Sequence, residues 1–573
     1  MRKFRFNAIF AVSFLAFGSH GAHADAAASL PTGQVGGLIE VADVFNRDLV
    51  LASYTPQSTQ GILQIPVPTQ DLAVQSQIDQ IIAGQADWPQ SIPVHIRQQL
   101  IALYSAREAR AIWFGPGGWN PALDDALGQV AQAAQDGLNP TDYGIDDLDT
   151  YRRAYTAWDL AASELMLSAH FLPYVNDMIN GRYAAKPRFN AINVLNAGIK
   201  EQGVRAFFDG LIPEKLEYQR LRTALADLRA NRIITPDIPQ LSAGRNLRRG
   251  SRGARVADLR YILTLTGDYV PDPAIHYDFR FDATLFDERL RAAVISYQKR
   301  HGLSADGIVG PGTRRVMNHR TPGDITLIKI NMERLRWEAP LNNEPSYVRV
   351  NIPFYRLHVR QNSELVLDMK ATVGRIDRQT PIMSDRIVNL KFSPDWTVPS
   401  TIYSEDILPR LQADPAYAQA AGYTIFTSQG AVAAETIDWS DPPAVTVYKH
   451  ASSSGPLGGV RFSLTNNVGI FLHDTNEPSQ FRKSRLALSS GCVRVGEPVA
   501  LAHFLTQQDG LTPEQIKQAM SRGRISWQPV NADAGIPVFL SYMTIFVDDE
   551  GQLIRTDDPY RKDQELIRFF NNL

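Results

Sequence analysis

Residues Tyr347–Gly374 read YVRVNIPFYRLHVRQNSELVLDMKATVG, and this stretch predicts a β-rich domain in the C-terminal half of the chain. Val348, Val350 and Ile352 alternate with Arg349 and Asn351, which is the period of a strand with one buried face. The run YRLHV follows, and the turn residues RQNSE then precede LVLDMKATVG. We expect the strand period from about residue 325 onward, and GVRFSL, VGIFLH and VFLSYMTIFV continue it.

A helical and irregular interval interrupts these strands at residues 399–446, which include EDILPRLQADPAYAQAAG. We interpret it as an insertion that covers a site, because long excursions from a β scaffold often form lids. The β-rich domain is expected to span 325–530. Residues 531–573 are expected to add C-terminal strands and a tail that complete this region.

The pattern before the strands is helical. Between 61 and 240, apolar residues recur at steps of three and four, as at Leu123, Leu127, Val130 and Ala134, and glycine- and proline-rich breaks separate the runs. This predicts an all-α domain. Residues 247–320 form a smaller unit with two amphipathic runs and the turn GLSADGIVGPGT, which predicts three short helices.

Length and composition limit the class of protein. A chain of 573 residues with 44 % hydrophobic and 21 % charged residues is a folded protein of two to four domains rather than a disordered chain. Its 58 basic and 60 acidic residues leave a net charge of -2, which provides no general field for nucleic acid. Binding must therefore depend on local sites.

The N-terminus has the pattern of an export signal. Arg2, Lys3 and Arg5 precede an apolar run, and Ala22-His23-Ala24 is a small-x-small cleavage site. Residues 1–24 are therefore expected to be a signal peptide and 25–60 a linker or arm, with an uncleaved membrane anchor as the alternative. Export also makes the single cysteine notable, because it has no disulfide partner within the chain.

That cysteine, Cys492, lies in FLHDTNEPSQFRKSRLALSSGCVRV, Phe471–Val495. His473 ends the strand-like run VGIFLH, and Cys492 lies in a turn that leads into VRV, so two edges of one sheet could bring imidazole and thiol together. A thiolate activated by a neighbouring base is a nucleophile. The alternative is a small buried residue without chemistry.

The residues around the thiol suit acyl transfer. Gly491 lets the backbone approach a substrate, and the amides of Gly491 and Cys492 could point at a developing oxyanion. Ser489 and Ser490 would add hydroxyl donors.

A histidine at a strand end followed by Ser-x-Gly-Cys-Val-Arg resembles the L,D-transpeptidase catalytic domain of the YkuD type, a β-rich fold with a cysteine nucleophile. TVGRIDRQTPIMS, FSPDWTVPSTI, LPRL and YMTIFVDDEGQLIR are similar to the larger periplasmic Gram-negative members, and GSRG, AVISYQKRHGL and DGIVGPGT resemble a peptidoglycan-binding-like three-helix domain. The resemblance implies a multidomain α+β fold with an all-α scaffold domain, this small domain and a catalytic domain with a lid.

Carried onto this chain, the resemblance implies that Cys492 is the acylated nucleophile, His473 the general base, and the backbone of Gly491 and Cys492 the oxyanion hole. Arg494 matches the motif arginine and is expected to brace the turn, with binding of a substrate carboxylate as the alternative. The remaining support and cleft candidates are Ser489, Ser490, Asp474, Phe471, Trp396, Tyr448 and His450. Two of these differ from part of the family. Ser490 stands where many members have histidine, although the larger members often have serine, and Phe471 stands where some relatives have a tyrosine, so no hydroxyl can act at that position.

The implied reaction forms 3-3 crosslinks in peptidoglycan through a cysteine thioester, with a tetrapeptide donor, release of D-Ala and a meso-diaminopimelate amine as acceptor. The resemblance also implies a periplasmic location, a part in cell-wall organisation and cell shape, other cell-wall synthesis enzymes as partners, and acylation by carbapenems. No metal or organic cofactor is expected.

Three alternatives stay open: an L,D-carboxypeptidase that transfers to water, transfer to another amine, and a non-catalytic peptidoglycan-binding scaffold. A papain-like protease is disfavoured because its cysteine precedes its histidine, and a zinc hydrolase because no HExxH occurs.

Overall fold

The computed structural model describes residues 67–144, 154–184, 187–230, 240–271, 282–318, 323–340, 344–452, 455–530 and 535–571. The expected signal peptide and the linker at 25–60 lie outside these residues. None of the described helices is long and apolar enough to cross a membrane. The architecture is the expected multidomain α+β arrangement, with a helical N-terminal region and a β-rich C-terminal domain.

The N-terminal region consists of helices around one apolar core. They are α1 (Val67–Ile82), α2 (Val94–Ser105), α3 (Ala122–Ala131), α4 (Ala157–Asn180), α5 (Ala191–Gln202) and α6 (Val204–Asp209). The next helix, α7 (Leu216–Ala230), packs in a different core. One small hairpin departs from the all-α prediction: β1 (Phe114–Gly115) pairs with β2 (Gly118–Trp119). The glycine-rich stretch FGPGGWNP forms this hairpin, because Gly118 has a φ of 97° that suits a tight turn.

The small unit contains α8 (Ala254–Leu265), α9 (Glu288–Arg300) and α10 (Pro311–Met317), which enclose their own core. It contacts the C-terminal part of the chain: Nδ1 of His301 lies 2.7 Å from the carbonyl oxygen of Arg555. The hydroxyl of Ser304 donates to the carbonyl of Arg482 at 3.2 Å. The unit is therefore docked against the β-rich domain.

The expected start of the strand period at residue 325 is wrong, because α11 (Asp324–Arg336) precedes the first strand of the domain. Its buried residues Leu327, Ile328, Met332 and Leu335 follow helical spacing. They pack in one core with α7, with the hairpin β17 (Ile545–Val547) and β18 (Leu553–Arg555), and with α17 (Asp563–Asn571). The C-terminal tail thus joins the helical region to the β-rich domain.

The main sheet closes on itself among the described residues. Its strands are β3 (Ser346–Asn351), β4 (Arg356–Gln361), β5 (Glu364–Gly374), β6 (Met383–Phe392), β11 (Val460–Leu464), β12 (Leu472–His473), β14 (Val493–Val495), β15 (Ser526–Pro529) and β16 (Ile536–Ser541). They follow the order β11, β12, β14, β5, β4, β3, β16, β6, β15, and β11 also pairs with β6. β13 (Ala487–Ser489) also pairs with β5.

The inward-facing residues of this sheet form the core of the domain. Val348 and Val350 of β3 face Val359 and Leu357 of β4, as the alternation predicts. Helices α15 (Pro498–Thr506) and α16 (Pro513–Ser521) follow β14 and add Leu501, Leu505 and Ile516 to the core. The alternating sequence therefore determines which face each side chain takes.

The outer face of β3 is buried as well, although alternation alone predicts exposure. Arg349 is 1 % exposed, and its Nη1 lies 2.6 Å from Oε1 of Glu338 while its Nε lies 3.3 Å from Glu217. Nζ of Lys215 lies 3.1 Å from the second oxygen of Glu338. Because Lys215 and Glu217 lie at the start of α7, this ion-pair cluster connects the helical region to the main sheet.

The expected insertion forms a small unit with a separate core. Its four-stranded sheet has the order β7 (Trp396–Thr397), β10 (Thr446–Lys449), β8 (Thr424–Thr427), β9 (Gly430–Val432). The helical part contains α12 (Ser400–Ile402), a π-helical turn at Tyr403–Ile407, α13 (Leu408–Ala413) and α14 (Tyr417–Ala420). The unit is continuous with the end of β6.

Candidate active site

His473 and Cys492 lie on one face of neighbouring strands. In the pairing of β12 with β14, Leu472 is opposite Val493 and His473 is opposite Arg494. Leu472 and Val493 are fully buried in the core, so the residues next to them in sequence point to the other face of the sheet. The imidazole and the thiol therefore share this outer face.

The turn before the thiol is fixed by hydroxyl groups. The hydroxyl of Ser489 donates to the carbonyl of Cys492 at 2.6 Å and accepts from the amide of Gly491 at 3.1 Å. The carbonyl of Gly491 accepts from the hydroxyl of Thr380 at 2.7 Å. Gly491 has a φ of 120°, which a side chain would strain. Ser489 thus braces the turn rather than offering a free hydroxyl to a ligand.

This bracing also affects the expected oxyanion hole. The amide of Gly491 already donates to Ser489, so in this geometry it does not point at an incoming oxygen. The amide of Cys492 remains the predicted donor.

The tautomer of His473 is determined by a backbone carbonyl. Nδ1 lies 2.5 Å from the carbonyl oxygen of Asp474 and donates to it, which leaves Nε2 as the basic nitrogen. The carboxylate of Asp474 accepts from the amides of Gly459 at 2.8 Å and Thr475 at 2.6 Å. Asp474 therefore positions the imidazole through its backbone, while its side chain fixes the neighbouring chain segments.

The resting pair is neutral. Burial, with a smaller contribution from the charges of Arg494 and Arg461, lowers the pKa of His473 to about 3 against the opposite effect of two backbone carbonyls. Burial raises the pKa of the Cys492 thiol, although the amide of Phe471 and the charges of Arg461 and Arg494 act in the opposite direction. A neutral imidazole next to a thiol can act as a general base but does not hold a preformed ion pair.

Arg494 contacts the segment that follows His473. Its Nη1 donates to the side-chain oxygen of Gln480 at 2.8 Å, in the short helix Pro478–Arg482 that follows the histidine segment. The side-chain nitrogen of Gln480 donates to the hydroxyl of Thr475 at 2.8 Å. This chain of contacts connects the thiol strand to the residues after His473.

Arg461 is a residue of the catalytic face that was not predicted from the sequence. It lies on β11 directly opposite His473, and its guanidinium carbon is 4.5 Å from the ring centre of Phe471. Phe471 in turn packs edge-on against His473, with ring centres 5.6 Å apart. The signal was present in GVRFSL, where Arg461 takes the outward position between buried Val460 and Phe462.

Three of the predicted cleft residues, Trp396, Tyr448 and His450, lie in the insertion's sheet or directly after it. Trp396 packs against the insertion's own core, so it is a structural residue there. The hydroxyl of Tyr448 donates to Asp395 at 2.7 Å, and Nε2 of His450 lies 3.1 Å from the hydroxyl of Thr424. Of the three, Tyr448 is connected to the catalytic face, because Asp395 also pairs with Lys391, the partner of Arg461 in the sheet.

A second connection couples the insertion to the thiol turn. Nη1 of Arg378 donates to the hydroxyl of Ser490 at 3.1 Å. The same guanidinium binds the carboxylates of Glu405 and Asp406 in the π-helical turn of the insertion. Ser490, which stands where many family members have histidine, is thus held from the insertion side.

No group of histidine, cysteine and acidic side chains able to hold a metal ion is found within the part of the chain that the structure describes.

Comparisons with known proteins match three separate parts of the chain. Family models match at residues 98–225 ("Scaffold domain"), 252–317 ("Putative peptidoglycan binding domain") and 345–516 ("L,D-transpeptidase catalytic domain", YkuD). A Haemophilus influenzae protein named "Putative L,D-transpeptidase" is 31 % identical over 242 residues, which cover 42 % of this chain and 48 % of that protein. The match therefore spans about half the length of this curated relative.

Two solved structures are also similar. An L,D-transpeptidase from Stackebrandtia nassauensis is 16 % identical and covers 53 % of this chain and 96 % of its own, with a TM-score of 0.22. One from Xylanimonas cellulosilytica is also 16 % identical and covers 52 % and 98 %, with a TM-score of 0.18. On the family models and the curated relative, the chain carries a YkuD-type L,D-transpeptidase catalytic domain preceded by a scaffold domain and a peptidoglycan-binding domain.

Proposed function

We propose that this protein is a peptidoglycan L,D-transpeptidase that forms 3-3 crosslinks through a thioester on Cys492. The observation that carries the proposal is the placement of His473 and Cys492 on one face of paired strands, with Nδ1 of the imidazole engaged and Nε2 left basic. A base beside a thiol is the arrangement that nucleophilic catalysis needs.

In the first step, Nε2 of His473 accepts the thiol proton as the sulfur of Cys492 attacks the carbonyl between meso-diaminopimelate and the terminal D-Ala of a tetrapeptide stem. The amide of Cys492 donates to the oxyanion. The imidazolium then returns its proton to the amine of D-Ala as the C–N bond breaks. The products are a thioester and free D-Ala.

In the second step, the side-chain amine of diaminopimelate from a neighbouring stem attacks the thioester carbonyl. Nε2 of His473 accepts a proton from this amine, and the C–S bond breaks to give a new amide. The imidazolium protonates the departing sulfur, which restores the neutral pair.

The other domains suit this role. The peptidoglycan-binding domain docks on the β-rich domain through His301 and Ser304, so wall binding would place the catalytic face near its substrate. We further propose that the protein is exported to the periplasm and works beside other cell-wall synthesis enzymes. Support for export comes from the sequence pattern of residues 1–24.

The proposal is tested by incubating the purified mature protein with disaccharide-tetrapeptide and analysing the products. We expect a crosslinked dimer with one D-Ala released per crosslink. Tripeptide monomer alone would instead identify an L,D-carboxypeptidase, and no product would favour a wall-binding scaffold. Cys492→Ala is the control.

The same thiol is expected to form a covalent adduct with a carbapenem. Intact-protein mass spectra of the wild type and Cys492→Ala after exposure test this expectation. An adduct on the variant would remove Cys492 as the acylated residue.

A further inference from the structure

Arg461 is a cation on the catalytic face that the two chemical steps do not use. Its register places it opposite His473 on one side and opposite Lys391 of β6 on the other. Val460 and Phe462 are buried in the core, so the side chain between them points to the face that carries the imidazole and the thiol. Burial raises the pKa of the Cys492 thiol, and the positive charge of Arg461 acts in the opposite direction.

The guanidinium of Arg461 forms no ion pair with any residue that the structure describes. Its Nε is buried without a hydrogen bond, and within the described residues no carboxylate lies within ion-pair distance of it. Two nearby cations have carboxylate partners: Lys391 pairs with Asp395, and Arg378 pairs with Glu405 and Asp406. The guanidinium of Arg494 donates instead to the side-chain oxygen of Gln480. The guanidinium packs over the ring of Phe471.

Asp395 is the acid that could neutralise Arg461, since its charge raises the pKa of the guanidinium. However, Asp395 is already held by Lys391 and by the hydroxyl of Tyr448. A partly buried cation without a partner is costly, so an anion that enters this position gains free energy. Arginine suits a carboxylate in particular, because its planar fork matches both oxygens.

We propose that Arg461 binds the C-terminal carboxylate of the donor peptide, on the residue that leaves. This rests on the proposed function, in which the leaving amino acid carries a free carboxylate three bonds from the scissile carbonyl. Arg461 next to the nucleophile would hold that carboxylate while the sulfur attacks. The enzyme would then select donors that end one residue after the scissile bond.

The alternative role, support of the thiolate alone, makes a different prediction. A residue that acts only on the sulfur would affect every donor equally. A carboxylate receptor affects only donors with a free C-terminus. The two roles are therefore separated by comparing a peptide acid with its carboxamide.

The test uses the full mature chain with Cys492→Ala, so that binding is measured without turnover. Isothermal titration compares a tetrapeptide ending in D-Ala with the same peptide ending in D-Ala carboxamide. A charge-assisted contact predicts about ten- to hundredfold tighter binding of the acid. Adding Arg461→Met should abolish this ratio by weakening only the acid, and Arg461→Lys should restore part of it.

Arg522→Met, on the exposed end of α16, is the matched control for net charge and should leave the ratio unchanged. Circular dichroism checks that each variant is folded. Equal binding of acid and amide by the parent, an unchanged ratio in Arg461→Met, or no binding of either peptide at millimolar concentration would overturn the proposal.

Acylation of the wild-type chain is followed in parallel by intact mass. If the acid binds through Arg461 but no thioester forms, the proposed function fails while the carboxylate site stands. If a thioester forms equally fast from acid and amide in both wild type and Arg461→Met, the function stands and the carboxylate site fails.

Discussion

Arg461 and His473 face each other directly across β11 and β12, and Arg494 faces His473 from the other side on β14. The imidazole thus lies between two guanidinium groups in register, and both oppose its protonation. Burial is the larger cause of the low pKa of His473, and the two guanidinium groups add to it, which favours a neutral imidazole over a preformed thiolate–imidazolium pair.

The first prediction concerns the reactivity of the thiol. Because burial raises the pKa of Cys492 and His473 cannot hold a proton near neutrality, alkylation by iodoacetamide should accelerate continuously from pH 6 to beyond pH 9. Labelling is followed by intact mass, and Cys492→Ala should take up no label, since the chain has one cysteine. A fast, pH-independent rate between pH 4 and 7 would instead reveal a preformed thiolate.

The second prediction concerns stability in acid. The folded pKa of His473 is about 3, below the value of 6.5 for an unperturbed histidine, so the unfolded state binds more protons between these values. This contribution to the free energy of unfolding is present above pH 6.5 and is lost as the pH drops. The loss is about 1.5–2 kcal/mol between pH 6.5 and 5 for each such histidine. His301, whose folded pKa is also about 3, should contribute a second loss.

Urea unfolding of the wild type and His473→Gln at several pH values measures this slope. The variant should lose less stability on acidification, and the same substitution at exposed His95 controls for the removal of an imidazole. Equal slopes for wild type and His473→Gln would contradict a buried neutral imidazole.

The third prediction concerns the cluster that joins the helical region to the sheet. Glu338→Gln leaves Lys215 and Arg349 buried without their shared counter-ion, and should cost about 3–5 kcal/mol of unfolding free energy. Glu405→Gln is the control, because Glu405 is 55 % exposed and its loss should cost under about 1 kcal/mol. Similar losses for both variants, measured by urea unfolding, would show that burial does not strengthen the Glu338 cluster.

The fourth prediction concerns the insertion. Arg378→Met should release the π-helical turn at Tyr403–Ile407 from Ser490, so amide hydrogen exchange there should accelerate and crosslinking should slow. In a double-mutant cycle with Asp406→Asn, the coupling between the two substitutions in the free energy of unfolding should be about 1 kcal/mol, because Asp406 is partly exposed. Arg375→Met is the control, because Arg375 pairs mainly with Asp377. Fully additive effects of Arg378→Met and Asp406→Asn would refute this coupling.

Local periodicity predicted much of this molecule. The alternation of Val348 and Val350 identified the strands, and the end of VGIFLH placed His473 beside the strand that follows Cys492. The predicted strand boundary at 325 was wrong, because the apolar residues of α11 are compatible with either a helix or a strand. The packing of α11 against α7 and α17 favours the helix. Short apolar runs are ambiguous in this way.

The tertiary contacts could not be predicted. Burial of Arg349 depends on Lys215, Glu217 and Glu338, which come from two distant segments. Likewise, the role of Arg461 depends on a strand register, because its sequence neighbours contain no acid or histidine that would mark it. Residues 1–60, with the expected signal peptide, lie outside the described part, so their interpretation still rests on sequence.

The most direct test of the central claim is the intact mass of the mature protein during incubation with disaccharide-tetrapeptide. The account predicts a species heavier by the donor minus D-Ala, absent from Cys492→Ala and strongly reduced in His473→Gln, with the modification mapped to the peptide that contains Cys492. Crosslinked product formed without this adduct, or formed equally by Cys492→Ala, would contradict a cysteine thioester.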